Sequence, residues 1–566
     1  MRIEGRRPTE KRFAVCVRAA ARLVMLPVLL VLPLALPAPT LAATYTWTGG
    51  GGADANWSNA ANWGGSGPSN DESSVSLMFP ALAGHYDSHN DLTGLHVTFL
   101  SITTQLSDGT YTFTGNPLSL EGPSTLASPG TGNPNLVWQI PLTVGANVTV
   151  AASGRQTQLQ ADIDLGTRTL TFNAGGDIVL AGVVSGSGNI IKNNTAALTI
   201  RGANTYTGTT TSNSGALYIS NSAALGSGDS GTTIAGGFLG FTADSAFTLS
   251  EPLLFTGGGI VAYGTPTIGG PLTVNATIDA KAFEAASLLT ITSAIGGSGG
   301  LTTSGAGTVV LSGAEAYAGA TSVGAGTLQL DGSLASTGAV TVKSGATLRG
   351  NGSTAGAISV EASGTLAPGD SPGALACRGL TMVAGATLAV EVDGPTAVSG
   401  YDQVAVSGPV SLGGATLAVT LGGFAPADGQ SFTIVAQQQG QSVAGTFAGL
   451  PEGATFELNG TTFGITYGGG SGHDVVLIAS PGSNTPTPMS ETPGPSPTPT
   501  PTAVGGCTGD CDGNGAVGIN ELISGVNIAL DNASVDSCPA FDVDGDGKVA
   551  IQELIAAVNN ALGGCH

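Results

Sequence analysis

The sequence predicts a mainly β chain, a parallel β-helix (β-solenoid) followed by a small α-helical tandem-loop module. Three observations predict it. Residues 185–219, SGSGNIIKNNTAALTIRGANTYTGTTTSNSGALYI, align without gaps on residues 296–330, GGSGGLTTSGAGTVVLSGAEAYAGATSVGAGTLQL. A shorter G-A-T-L unit returns at Gly326 to Leu328, Gly345 to Leu348, Gly364 to Leu366, Gly385 to Leu388 and Gly414 to Leu417, a spacing of about 20 residues before it lengthens. Near the carboxyl end, a twelve-position acidic loop occurs twice.

Residues 1–43 read as a secretory signal. Arg2, Arg6, Arg7, Lys11, Arg12, Arg18 and Arg22 form a basic region, an apolar run spans Leu23 to Leu36, and small Ala42 and Ala43 offer a cleavage site. That run is too short and Pro-broken for a membrane span. The mature chain is expected to be exported, with no membrane span.

Residues 44–184 are predicted to be a β-rich first part of the solenoid, and residues 185–480 its repetitive body. A strand-turn unit of about 20 residues cannot bury its own apolar face, so coils stack. Alternating stretches such as LTVNATI and LAVEV supply strands, and glycine supplies turns. The formal net charge of −22, with only Arg155, Arg168, Lys192, Arg201, Lys281, Lys343, Arg349 and Arg378 as bases in this part, excludes phosphate recognition by clustered cations, hence nucleic acid. Carboxylates such as Asp162, Asp164, Asp279, Glu284 and Glu361 show no catalytic spacing.

Weaker signals have plain readings. Trp47, Trp57 and Trp63 fit a cap over the first coils better than a sugar platform. His85, His89 and His96, near Asp87 and Asp91, match no metal spacing and read as a solvated loop. GGSGHDVVL, at 469–477, is a single copy of a calcium nonapeptide that works by stacking. Cys377 reads as a small buried filler.

Residues 481–506 form a Pro/Thr-rich linker, containing TPTPMSETPGPSPTPTPT, that favours an extended, semi-rigid spacer. Residues 507–566 carry the chemistry. Asp510, Asp512, Asn514, Gly515 and Glu521 are echoed by Asp542, Asp544, Asp546, Gly547 and Glu553. Both sets fit D-x-[DN]-x-[DN]-G-x5-E, whose alternate oxygens converge on a hard cation. The expected ligands in two Ca2+ sites are Asp510, Asp512, Asn514, the Ala516 carbonyl and Glu521, then Asp542, Asp544, Asp546, the Lys548 carbonyl and Glu553. Acidic turns without metal are the alternative.

A helix is predicted after each loop, carrying Leu522, Ile523, Val526 and Leu530, and Leu554, Ile555, Val558 and Leu562 as facing stripes. Ile519 and Ile551 are placed for a strand pairing between loops. Nine acids against one base, Lys548, should couple folding of this module to cation binding. In an exported chain, Cys507, Cys511, Cys538 and Cys565 suggest two disulfides of open connectivity. A zinc site is the alternative, though no CxxC occurs.

The segments DCDGNGAVGINELISGVNIAL and DVDGDGKVAIQELIAAVNNAL resemble EF-hand pairs and, more closely, dockerin modules, which bind cohesins. The chain departs from dockerins in Glu at position 12, in Ile519-Asn520 and Ile551-Gln552, and in lacking helix Lys or Arg, so the resemblance implies calcium more directly than cohesin. GANTYTGTTT and GAGTVVLSGAEAYAGATSVGAGTLQL resemble the passenger-associated repeats of autotransporter adhesins. SGTLAPGDSPGALACRGLTMVAGATLAVEVDG and TWTGGGGADANWSNAANW are similar to the end and opening of such passengers. That resemblance implies a surface-displayed β-helix, although the membrane barrel expected to follow is replaced by the acidic module.

The expectation is a secreted or cell-surface, non-enzymatic structural or adhesive rod with a calcium-binding module that attaches it to a cohesin-like protein, a cell-surface protein or a polysaccharide. The alternative is an extracellular carbohydrate-active enzyme, a lyase or hydrolase on a β-helix, bearing a dockerin-like module.

Overall fold

A computed structural model of the chain describes residues 42–82, 87–103, 110–128, 136–154, 156–228, 230–336, 338–481, 507–530 and 532–564. The expected leader up to residue 41, His85, the Pro/Thr spacer and Cys565 lie outside the described residues. The chain divides into two compact units, Met1–Ser483 and Asn484–His566.

The first unit is a parallel β-solenoid of about 13 turns. Each strand pairs with its counterpart one coil on, so equivalent side chains stack in columns and a one-residue slip would turn a whole column outward. The column Leu289, Val309, Leu328, Leu348, Leu366, Leu388 and Leu417 contains the leucine of every G-A-T-L unit. Leu328, Leu348, Leu366 and Leu388 have no exposed surface, so each unit is one corner of one coil. Its glycine makes the turn: Gly326, Gly345, Gly385 and Gly414 have φ of 61°, 76°, 83° and 76°, a region where a Cβ is disfavoured.

Three sheets form the walls. One of 16 strands ends at Ile295–Gly296, another of nine runs from Thr248–Leu249 to Thr416–Leu421, and a third accompanies both. The two aligned repeats are superposable in their interactions. Tyr206 hydrogen-bonds Thr210 as Tyr317 does Thr321, and the Val184 N–H donates to Asn204 as the Ile295 N–H donates to Glu315.

The tryptophans belong to the interior of the first coils. Trp47, Trp57 and Trp63 are buried around Phe79, with ring centroids 5.7, 5.5 and 5.6 Å from it. Their polar edges are used internally: Trp57 Nε1 donates to Ser88 Oγ at 2.6 Å and Trp63 Nε1 to the Trp57 carbonyl at 2.8 Å. No face is left for a sugar platform. The solvated-loop reading of the histidine stretch is corrected. His89 and His96 lie on strands Asp87–Asn90 and Leu95–Thr103, where Ser88 and Asn90 alternate inward beside the first and Leu95 and Val97 beside the second. His89 binds Thr114 Oγ1 at 2.8 Å, and His96 binds Glu121.

The far end of the solenoid leaves the parallel pattern. Strands Thr455–Leu458, Thr461–Gly469 and Asp474–Pro481 pair antiparallel, and the last of them pairs antiparallel with Ser431–Gln437. This covers a sheet edge that would otherwise present open N–H and C=O groups. The single nonapeptide has a structural role there, since Asp474 is buried and accepts the N–H groups of Gln437 and Ser471 at 2.8 and 3.1 Å.

Candidate metal centre

The second unit is built on two helices, α1 (Ile519–Ala529) and α2 (Ile551–Gly563). Each begins where an acidic loop ends. Loop glycines take the turns, Gly513 and Gly515 at φ 72° and 85°, Gly545 and Gly547 at 74° and 83°. The bends expose amides toward the position-1 carboxylate. Asp510 accepts from the N–H of Asn514 at 3.1 Å and of Gly515 at 2.8 Å; Asp542 accepts from Asp546 at 3.0 Å and Gly547 at 2.9 Å.

The remaining positions repeat the pattern. Asp512 and Asp544 accept at 3.1 Å from the position-5 N–H, while Asn514 and Asp546 accept from the N–H of Ala516 and Lys548 at 2.9 and 2.8 Å. Glu521 takes the N–H of Cys511 and Gly518, both at 2.7 Å, and Glu553 takes those of Val543 and Ala550 at 2.7 and 2.8 Å. Each glutamate thus caps its helix and ties it to position 2 of its own loop.

These bonds leave carboxylate lone pairs to spare, since each oxygen can accept more than once. Ligand atoms of Asp510, Asp512 and Glu521 lie within 4.8 Å of one another, as do those of Asp542, Asp544 and Asp546. Glu553 is not in the second trio and is mostly buried. Such crowding of like charge is relieved by a divalent cation, and oxygen-only donors suit a hard one. Within the described residues, no other trio of His, Cys, Asp or Glu converges in this way.

The unit's core is small. Val517, Ile528, Cys538, Phe541, Val549 and Ala557 are buried, too few to hold such a domain without covalent help. Cys511 is bonded to Cys538 with Cα atoms 5.0 Å apart, fastening the first loop to the segment before the second. Cys507 is also in a disulfide.

Two sequence expectations are corrected here. Ile519 and Ile551 pair no loops; they open the helices and are 76 % and 72 % exposed, while Val517 and Val549 at position 8 enter the core. Nor do the helix stripes bury each other. Ile523, Val526 and Leu530, with Ile555, Val558 and Leu562, are exposed, and only Leu522 and Leu554 pack against the core. The reason is Phe541, whose ring fills the opposite side of α1. A Cβ on Gly525 would meet that ring at 2.3 Å. Gly525→Val should therefore destabilise this unit by about 1–3 kcal/mol, seen as a lower midpoint in its helical circular dichroism signal.

Several buried acids in the solenoid escaped the sequence reading. Glu315 and Glu251 are buried and pushed up to about 7 by burial, and Asp402 up to about 6 for the same reason. Glu315 was legible in principle, because it occupies the place of Asn204 in the aligned repeat. Cys377 is buried too, its thiol raised to about 12, which makes it inert at neutral pH.

Comparison with known families matches the passenger-associated-transport-repeat family to residues 190–219, 301–330 and 323–349. The first two lie within the segments that align internally, and the third spans the G-A-T-L units at Gly326 and Gly345. The chain is similar there to passenger repeats, and the solenoid fits an adhesin-like passenger β-helix. No curated protein matches the chain. Among the described residues, no helix is long and apolar enough to cross a membrane.

Proposed function

We propose that the chain is an exported, non-enzymatic adhesive or structural rod whose C-terminal unit takes up two calcium ions and attaches it to a partner protein or cell surface. The observation that carries this reading is that the side chains at positions 1, 3, 5 and 12 accept the same backbone N–H groups in both loops. Acidic turns need no such register, whereas two cages for the same ion do. The duplicated exposed stripes, Ile519, Ile523, Val526 and Leu530 against Ile551, Ile555, Val558 and Leu562, supply apolar surface for docking. The passenger-repeat match supports a surface or secreted setting.

The carbohydrate-active alternative needs carboxylates facing a substrate. The acids with raised pKa, Glu251, Glu315 and Asp402, are instead buried and accept hydrogen bonds from Thr232, Ile295, Gly373 and Glu391. Burial explains their pKa without catalysis. Calorimetry on the full chain tests the central claim, with uptake of two calcium ions per molecule expected. Absence of any heat at millimolar calcium, or release of reducing or unsaturated sugars from polysaccharides, would overturn the respective half of the proposal.

A further inference from the structure

The two acidic loops make matching hydrogen bonds but differ at position 2. Cys511 holds that place in the first loop and Val543 in the second. In both, the position-2 backbone N–H donates to the glutamate that closes the loop, Cys511 to Glu521 and Val543 to Glu553, each at 2.7 Å. Only Cys511 is also fixed from the side, by its bond to Cys538. Val543 is 64 % exposed.

The disulfide divides the unit unequally. It closes a ring of chain between residues 27 positions apart, and that ring contains Asp512, Asn514, Glu521 and all of α1. Asp542, Asp544, Asp546 and Glu553 lie outside it. Cys538 is buried in the same cluster as Phe541, whose ring faces Gly525 of α1, so the main chain between Asp510 and Asp512 is moored to the core. A tether of this kind lowers the entropy lost when the segment closes on an ion. The second loop has no such tether at position 2.

We propose that the Cys511–Cys538 bond is a redox switch on the first calcium cage alone: closed, it preorganises that cage, and opened, it weakens it, while the second cage keeps its affinity either way. The inference rests on the reading of both loops as calcium sites. Opening the bond takes two electrons and two protons from a dithiol, which leaves Cys511 and Cys538 as thiols and the dithiol as a cyclic disulfide. Cys511 is partly exposed and Cys538 buried, which directs the attacking thiolate to the Cys511 side. The full calcium load therefore belongs to an oxidising compartment, the setting expected of an exported chain.

Calorimetric calcium titration of two full-length variants, each with and without dithiothreitol, tests the switch. Asp542→Asn with Asp544→Asn leaves the first cage, whose dissociation constant should rise roughly tenfold or more on reduction. Asp510→Asn with Asp512→Asn leaves the second cage, which should change by less than about twofold. Each variant is its own reference, so the difference between Asn514 and Asp546 does not enter. Cys511→Val with Cys538→Ala, which copies the second loop at position 2, should weaken one of the two sites to the same extent with no reductant present. Weakening on reduction that is equal in both cages, larger in the second or absent from both would overturn the switch, as would a cysteine variant that binds like the oxidised chain. Absence of calcium heat from the oxidised wild-type chain would instead remove the calcium reading itself.

Discussion

Glu521→Gln combined with Glu553→Gln is expected to erase the calcium dependence of the C-terminal unit while leaving the solenoid's melting unchanged. The proposal gives each glutamate a second duty beside the one seen in its hydrogen bonds. As a helix cap it accepts two backbone N–H groups, a role whose loss costs about 1 kcal/mol with or without metal. In the proposed calcium cage its carboxylate would also supply charge to the cation, and a site saturated at a hundredfold excess over its dissociation constant would add about 2.7 kcal/mol. Circular dichroism of the helical signal, with calcium and with chelator, separates the two. The wild-type midpoint should fall on chelation and the variant's should not. A variant that loses equal stability under both conditions would reduce the glutamates to caps and remove the metal from the account.

The second large effect concerns the rod and pH. Glu315 is held near pKa 7 in the folded chain against an ordinary value of 4.5, because ionisation would place a charge in the solenoid interior. Below pH 4.5 it is neutral in both folded and unfolded chains, and no cost arises. As pH rises through the window from 4.5 to 7, the unfolded chain ionises first and folding stability falls. The full loss, on the order of 3 kcal/mol, is present above pH 7. Glu251 shifts to about 7 in the same direction, and Asp402 to about 6. Lys192, lowered to about 8 by burial, carries its full cost below pH 8 and sheds it only as pH rises from 8 to 10.5, and so does not vary across this window. Urea midpoints of the solenoid should therefore be higher at pH 5 than at pH 8. Glu315→Gln should raise the pH 8 midpoint and flatten the profile, since the aligned repeat already tolerates the amide of Asn204 at the equivalent place. A midpoint that rises from pH 5 to pH 8 would contradict the burial argument.

The corrections share one cause. In the C-terminal unit, apolar spacing marks one stripe on each helix, and burial of those stripes against each other is the obvious inference. The three-dimensional arrangement instead puts Phe541 and the Cys511–Cys538 bond against Gly525 and Ile528, leaving Ile523, Val526, Leu530, Ile555, Val558 and Leu562 outside. Glycine and cysteine carry no periodic signal, so the side that packs was silent. The histidine stretch erred in the other direction. Its polar residues suggested a loop, but the pairing of Asp87–Asn90 with Tyr111–Gly115 is set by a neighbouring coil.

By itself the sequence determined the stacked-coil fold, the turn glycines, the inward leucines and the matching positions of the acidic residues in both loops, because each of these is a local pattern repeated at fixed spacing. Only the tertiary structure decided which sheet each strand joins, where the parallel ladder yields to antiparallel strands, and which carboxylates are buried. Those are relations between residues about 20 or more positions apart, where the physical determinant is contact across coils rather than the chemistry of neighbours along the chain.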